Sequence, residues 1–241
     1  GSEENPTNDE ILQRVTTINN NLRYVSANSY SNPYSGIDTE IELCLANVDP
    51  SGNYTTGIIR HNDAANNIGD YNTIGPVLNS TYKWDDTKYN NIFVISDLTN
   101  AAGVYMGGYD ITIYDSGTFW SGLVAHEIGH YFNLRHTFQN SGGVCPPNTD
   151  CTADGDFVCD TPPKNVSGTN GGTCALPSNT CTTDDADLTV QNPYRPIANG
   201  GLGDQVDMLA NYMDYTGGCW DAFTEGQKTR MRLNITSNRM T

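Results

Sequence analysis

Three of the chain's four histidines fall in one eleven-residue window, His126-Glu127-Ile128-Gly129-His130-Tyr131-Phe132-Asn133-Leu134-Arg135-His136. Two histidines four apart on a helix project from one face, about one turn from each other. Two zinc–nitrogen bonds need that geometry. Glu127 lies one step round the helix, where it can reach a metal-bound water without ligating the metal. Three neutral imidazoles leave zinc one open position, and a water held there has its pKa lowered to about 7. Glu127 is then the general base, passing the proton on to the leaving amine. The chemistry expected is peptide hydrolysis through a zinc-bound water activated by Glu127, with no serine or cysteine nucleophile.

His136 tests that reading. It lies six residues beyond His130, so an unbroken helix would carry it about 240° round the axis, at about 100° per residue. The chain must therefore turn sharply near Asn133. Such a turn favours the left-handed region, where glycine is at ease and asparagine is the commonest substitute. His61, in the turn-like Arg60-His61-Asn62-Asp63, reads as a surface residue.

Further along, Asn211-Tyr212-Met213-Asp214-Tyr215 is followed by Cys219, Phe223-Thr224-Glu225-Gly226-Gln227 and Arg230-Met231. With Asp156-Phe157-Val158-Cys159-Asp160-Thr161-Pro162 and the segment from Leu43 to Arg60, this order resembles the metzincin peptidases. Within them it resembles the pappalysin family, in its bacterial, ulilysin-like branch, over roughly residues 38 to 235. The resemblance implies a metzincin-type zincin of the α+β class. Its upper lobe would hold a twisted mixed sheet and the active-site helix, and its lower lobe would be irregular and disulfide-rich. It also implies that Met213 forms an apolar floor under the metal and that Tyr215 stabilises the oxyanion. Asn133 stands where most metzincins have glycine. Gly218 stands where some members carry an acidic residue, so their preference for basic side chains does not carry over. By the same resemblance a propeptide is expected in the precursor.

Calcium is the second cofactor expected. Asp150, Asp154, Asp156 and Asp160, with Thr161, crowd a loop that has little core of its own, and a cation would turn their repulsion into order, with Asp154, Asp156, Asp160 and Thr161 as the ligands expected. The resemblance places calcium in the same region. The run Asp184-Asp185-Asp187 reads instead as solvated surface.

Composition sets the outer limits. The 241 residues carry 28 Asp plus Glu against 12 Lys plus Arg, a net charge of −16. Such a surface repels phosphate backbones, which argues against nucleic-acid partners. No run of 18 apolar residues is present, so no membrane span is expected. Gly1-Ser2 reads as an expression scar. Six of the seven cysteines (Cys145, Cys151, Cys159, Cys174, Cys181, Cys219) lie in the last hundred residues without a C-x2-C pair. They read as disulfides from an oxidising compartment, in any of 15 pairings. Cys44 reads as a buried thiol.

The positioning elements are fewer. Ile11, Val15, Ile18 and Leu22 give a helix over 8–26 with Asn8 as cap. Strands are expected at 38–48, 55–60, 90–96, 104–106 and 111–114, with turn-rich stretches at 29–36 and 49–53. A helix is expected over 117–132 and a closing one over 223–234, capped by Thr224. Residues 139–203 show almost no periodicity. One metalloprotease catalytic domain over 1–241 is expected, with subdomains of about 3–133 and 134–241. The reading is a secreted, monomeric zinc endopeptidase acting on proteins or peptides. Its competitors are a non-catalytic module that keeps zinc for structure, for which Glu127 has no use, and a zinc hydrolase of non-peptide amides.

Overall fold

The computed structural model describes residues 5–25, 36–119, 122–165, 178–216 and 219–238. Gly1-Ser2, the turn-rich stretch over 29–35, Cys174 and Gly218 lie outside them. The chain divides into two compact units. One comprises Gly1–Asn20, Ile41–Phe132 and Leu233–Thr241, the other Asn21–Glu40 and Asn133–Arg232.

The first unit opens on α1 (Asn8–Leu22). Its cap is Thr7 rather than Asn8. The Glu10 amide donates to Thr7 Oγ1 at 3.2 Å and the Thr7 amide donates back to Glu10 Oε2 at 2.6 Å, so two of the helix's free donors are satisfied together. The expected strands at 38–48 and 55–60 do not form. At 38–48 the physical reason is local, because the Leu43 amide and carbonyl both bond the Asn19 side chain, each at 2.8 Å, where a neighbouring strand would have to bond. Cys44, on this irregular stretch, is a free and exposed thiol, not a buried one.

Among the described residues five strands follow: β1 (Ile68–Gly69), β2 (Asn91–Ile95), β3 (Asp97–Leu98), β4 (Gly103–Met106) and β5 (Ile111–Asp115). β1 pairs parallel with β3. The main sheet is mixed, in the order β2-β5-β4, with β2 parallel and β4 antiparallel to β5. β5 is central, and its run Ile111-Thr112-Ile113-Tyr114 is fully buried, as β-branched residues between two covered faces should be. Between β1 and β2 lies α2 (Tyr71–Tyr82), capped by Asp70, whose carboxylate accepts from the Asn72 amide. Gly75 and Pro76 interrupt its apolar period and hide it from a sequence reading. Ile74 and Leu78 nevertheless bury one face with Ile95, Leu98, Ile111 and Ile113.

α3 (Leu123–Tyr131) closes the unit's core with Val124, Ala125 and Ile128 fully buried. It begins later than the expected residue 117. Asp115 takes the amides of Gly117, Thr118 and Phe119 in a turn and thus blocks an earlier start.

The second unit is mostly loops. A single 3-10 turn (Ile197–Asn199) and the start of α4 (Glu225–Asn238) are its described helical elements. Cys145–Cys181 and Cys151–Cys159 cross-link it, and Cys219 is also in a disulfide. Thr224 caps α4, with the Gln227 amide donating to its hydroxyl at 3.2 Å. The turn into α4 needs glycine at 226, where a Cβ would stand 2.5 Å from Asp160 Oδ1.

Candidate metal centre

α3 carries His126, Glu127 and His130 on successive and next-turn positions, so one rigid element sets all three. The Nε2 atoms of His126 and His130 lie 3.1 Å apart. Two zinc–nitrogen bonds of about 2.1 Å at a tetrahedral angle would place them about 3.4 Å apart. The continuous segment from 126 to 136 then leaves the helix. Asn133 has φ 70°, in the left-handed region, and its carbonyl accepts from Arg230 Nε at 2.6 Å. Along that segment the ligand nitrogens of His126, His130 and His136 lie within 4.8 Å of one another. Among the described residues this is the one group of three metal-ligating side chains so gathered. Three imidazoles converging without a carboxylate among them suit zinc better than calcium or magnesium.

Glu127 is 5 % exposed. Its Oε2 accepts from the Tyr105 amide of β4 at 2.8 Å. Burial pushes the carboxyl up to about 7, against the lowering pull of that hydrogen bond. A carboxyl in that range is suited to both taking and giving a proton near neutral pH.

In the second unit, His136 stacks on Phe138 at 4.7 Å between ring centroids, and Tyr215 meets His136 edge-on at 4.6 Å. Tyr215 is 51 % exposed, whereas Met213 is fully buried. The Met213 carbonyl accepts from the Thr137 amide at 3.1 Å, and its own amide donates to Asn211 Oδ1 at 2.8 Å. The methionine segment is thus bonded to the residue that follows His136.

Two residues that the sequence reading passes over hold this segment. Asp214 accepts from Thr137 Oγ1 at 2.9 Å and from Lys164 Nζ at 2.7 and 2.6 Å. Both ends of that ion pair are buried. Burial raises the Asp214 carboxyl, and the Lys164 ammonium and the Thr137 hydroxyl oppose it. The available signal was a lone lysine directly after Asp160-Thr161-Pro162-Pro163 in a lysine-poor stretch.

The aspartates expected to hold calcium are spread over separate bonds. Asp154 accepts from Thr149 Oγ1 and the Asp150 amide. Asp156, 4 % exposed, accepts from Thr161 Oγ1 and the Val158 amide, and burial pushes it to about 7. Asp160 instead ties down the start of α4, through Thr224 Oγ1 and the Gly226 amide. Phe157 lies under the Arg135 guanidinium at 3.8 Å, with Arg230 at 5.6 Å, so this loop packs on the arginine that bonds Asn133. Asp184 departs from its expected solvated setting and is buried. His61 is exposed and stacks on Tyr82 at 3.9 Å.

Residues 101–236 match the family model Peptidase_M43, described as pregnancy-associated plasma protein-A. An extracellular metalloprotease of Sordaria macrospora is 37% identical over 125 residues, 52% of this chain and 32% of that protein. The extracellular metalloprotease NCU07200 of Neurospora crassa is 34% identical over 152 residues, 63% of this chain and 39% of the relative. The chain thus spans well under half the length of these curated relatives. Among solved structures, mature mirolysin of Tannerella forsythia, in complex with a cleaved peptide, superposes with a TM-score of 0.72 at 24% identity. That match covers 99% of this chain and 88% of mirolysin. At that identity the likeness shows the fold, which is mirolysin's.

Proposed function

The chain belongs to the pappalysin family, Peptidase_M43, and on that premise we propose that it is a zinc-dependent endopeptidase acting on proteins or peptides outside the cell. The observation that carries the reading is the convergence of His126, His130 and His136 along one segment that also bears Glu127. These imidazoles would hold the zinc, which when bound acts as a Lewis acid toward the scissile carbonyl and acidifies a water.

The chain's own residues do the rest. Glu127 takes the proton of the attacking water and delivers it to the leaving amine, so one carboxylate serves as base and then acid. Its bond from the Tyr105 amide holds it in place for both steps. Tyr215, exposed and edge-on to His136, is the residue we assign to steadying the oxyanion. Met213 and Asn133 serve structurally, the first as the apolar floor and the second as the turn that frees His136 from the helical path. Both units together form one catalytic domain over 1–241, monomeric and made with an N-terminal propeptide. Calcium at Asp154, Asp156, Asp160 and Thr161 would order the loop that packs on Arg135 and Arg230. The name extracellular metalloprotease carried by the relatives supports secretion, as do the disulfides.

The test is cleavage of a denatured protein by the zinc-loaded chain, beside Glu127→Ala and beside a zinc chelator. We expect the variant to lose at least about 100-fold in rate and the chelator to abolish cleavage. Equal cleavage by wild type and Glu127→Ala would overturn the proposal and favour a zinc module without catalysis.

A further inference from the structure

We propose that Phe157 is a positioning residue for the third zinc ligand. Its ring anchors Arg230 and Arg135, the two arginines that hold the segment at residues 133 and 135, and so sets where His136 comes to rest. The inference rests on the zinc reading above. It goes beyond that reading by giving a part in metal binding to a side chain that lies among carboxylates and ligates nothing.

Phe157 stands at φ 67°. A bulky side chain in the left-handed region is an outlier, and it persists only where the surrounding structure over-determines it. Here it is pinned on both sides. The Phe157 amide donates to the Asp154 carbonyl at 3.1 Å, and the Val158 amide donates to Asp156 Oδ1 at 3.0 Å. Asp156 and Val158 are themselves buried. Glycine would make the same backbone bonds without the strain. A phenylalanine at this angle is therefore explained by what its ring touches.

The ring meets two guanidiniums, Arg135 at 3.8 Å and Arg230 at 5.6 Å. Burial lowers the pKa of Arg230, and the Arg135 charge lowers it further. Two like charges are thus gathered at one place, which the electron-rich face of the ring makes tolerable. Arg230 Nε donates at 2.6 Å to the carbonyl of Asn133, whose φ of 70° turns the chain off the helical path. A free arginine is a poor clamp, because its long side chain loses much rotamer freedom when held. Set against an aromatic ring, its planar guanidinium is already placed, and the bond to Asn133 forms with less freedom left to lose. Leu134, between the two tethered residues, is buried, and His136 follows directly after Arg135. His136 therefore inherits its position from a segment held at three consecutive residues.

Zinc affinity of the folded chain tests this without a peptidase assay. It is measured by chelator competition well below the melting temperature, at one fixed calcium concentration. Phe157→Leu keeps apolar bulk and removes the aromatic face, so it should bind zinc at least about tenfold more weakly than wild type, as loosened supports of metal ligands do. Phe157→Tyr should match wild type. Arg230→Met should also weaken zinc by about tenfold, and combining it with Phe157→Leu should weaken zinc no further than Phe157→Leu alone, since the two changes break one tether. Should Phe157→Leu fail to fold, Arg230→Met decides. A ring that only packs would lower the melting temperature of Phe157→Leu and leave its zinc affinity at the wild-type value. That result overturns the proposal, as does wild-type affinity in Arg230→Met. Failure of the zinc reading itself looks different, because wild type would then bind no zinc in the same titration, and both would fall.

Discussion

Asn133 is where one backbone angle decides whether a third imidazole can reach the other two. A left-handed residue with a Cβ costs about 1–2 kcal/mol relative to its usual region, less for asparagine and nothing for glycine. Asn133→Gly should therefore keep the wild-type melting temperature, while Asn133→Ala should lose about 1 kcal/mol and bind zinc more weakly in a chelator competition. The buried pair Lys164–Asp214 makes a larger effect at the same scale. Lys164→Met leaves a buried carboxylate with Thr137 as its remaining side-chain donor, so a loss of about 3–5 kcal/mol in denaturant unfolding is expected. Adding Asp214→Asn to that variant should recover part of it, since the bare charge is then gone. At this scale the sequence was most legible where spacing alone carries the geometry, as with His126, Glu127 and His130. It was least legible where partners are far apart in the chain, as Lys164 and Asp214 are. Asp184 shows the same limit, since nothing in Thr183-Asp184-Asp185 separates a buried acid from its solvated neighbour.

Among the elements, α4 shows how a motif that reads as recognition serves the fold. In Phe223-Thr224-Glu225-Gly226-Gln227, Thr224 and Gln227 form the cap, and Gly226 lets Asp160 approach the helix start. Gly226→Ala would put a Cβ 2.5 Å from Asp160 Oδ1 and 2.7 Å from Val158 Cγ1, and a loss of about 1–3 kcal/mol in thermal or urea unfolding is expected. Further along α4, Lys228 Nζ lies 2.7 Å from Glu40 Oε1, and Arg232 also bonds that carboxylate. The Lys228 hydrogen bond and charge, with Arg232, hold the Glu40 carboxyl below its ordinary 4.5. A depressed carboxyl contributes stability above its unfolded pKa and loses it as pH falls through the folded value. Glu40→Gln should thus melt slightly below wild type at pH 7, and the gap should narrow as the pH is lowered below 4.5. The helices α1 and α3 were legible from their apolar period and α4 from its cap Thr224, and β2, β4 and β5 from β-branched runs between turns. α2 was not, because Gly75 and Pro76 break its pattern and only tertiary burial of Ile74 and Leu78 makes it worthwhile. The strand expected at 38–48 fails for the opposite reason, since apolar residues alone do not supply the partner that the Asn19 side chain replaces.

For the whole molecule, the strongly acidic balance, the disulfides of the second unit and the family match describe a chain that relies on cross-links where it has little core. The class α+β and the zinc chemistry were readable because both are written in local patterns. The bonding of the second unit was not, because a loop region has no period to read. The central claim is that the segment after α3 reverses so that three imidazoles serve one zinc ion. X-ray absorption at the zinc edge, with metal content measured on the same sample, tests it most directly. One zinc per chain with three imidazole nitrogens at about 2.0–2.1 Å is the expected result, with one imidazole and most of the zinc lost in His136→Ala. A wild-type spectrum with two imidazoles, or His136→Ala with full zinc and an unchanged spectrum, would contradict it.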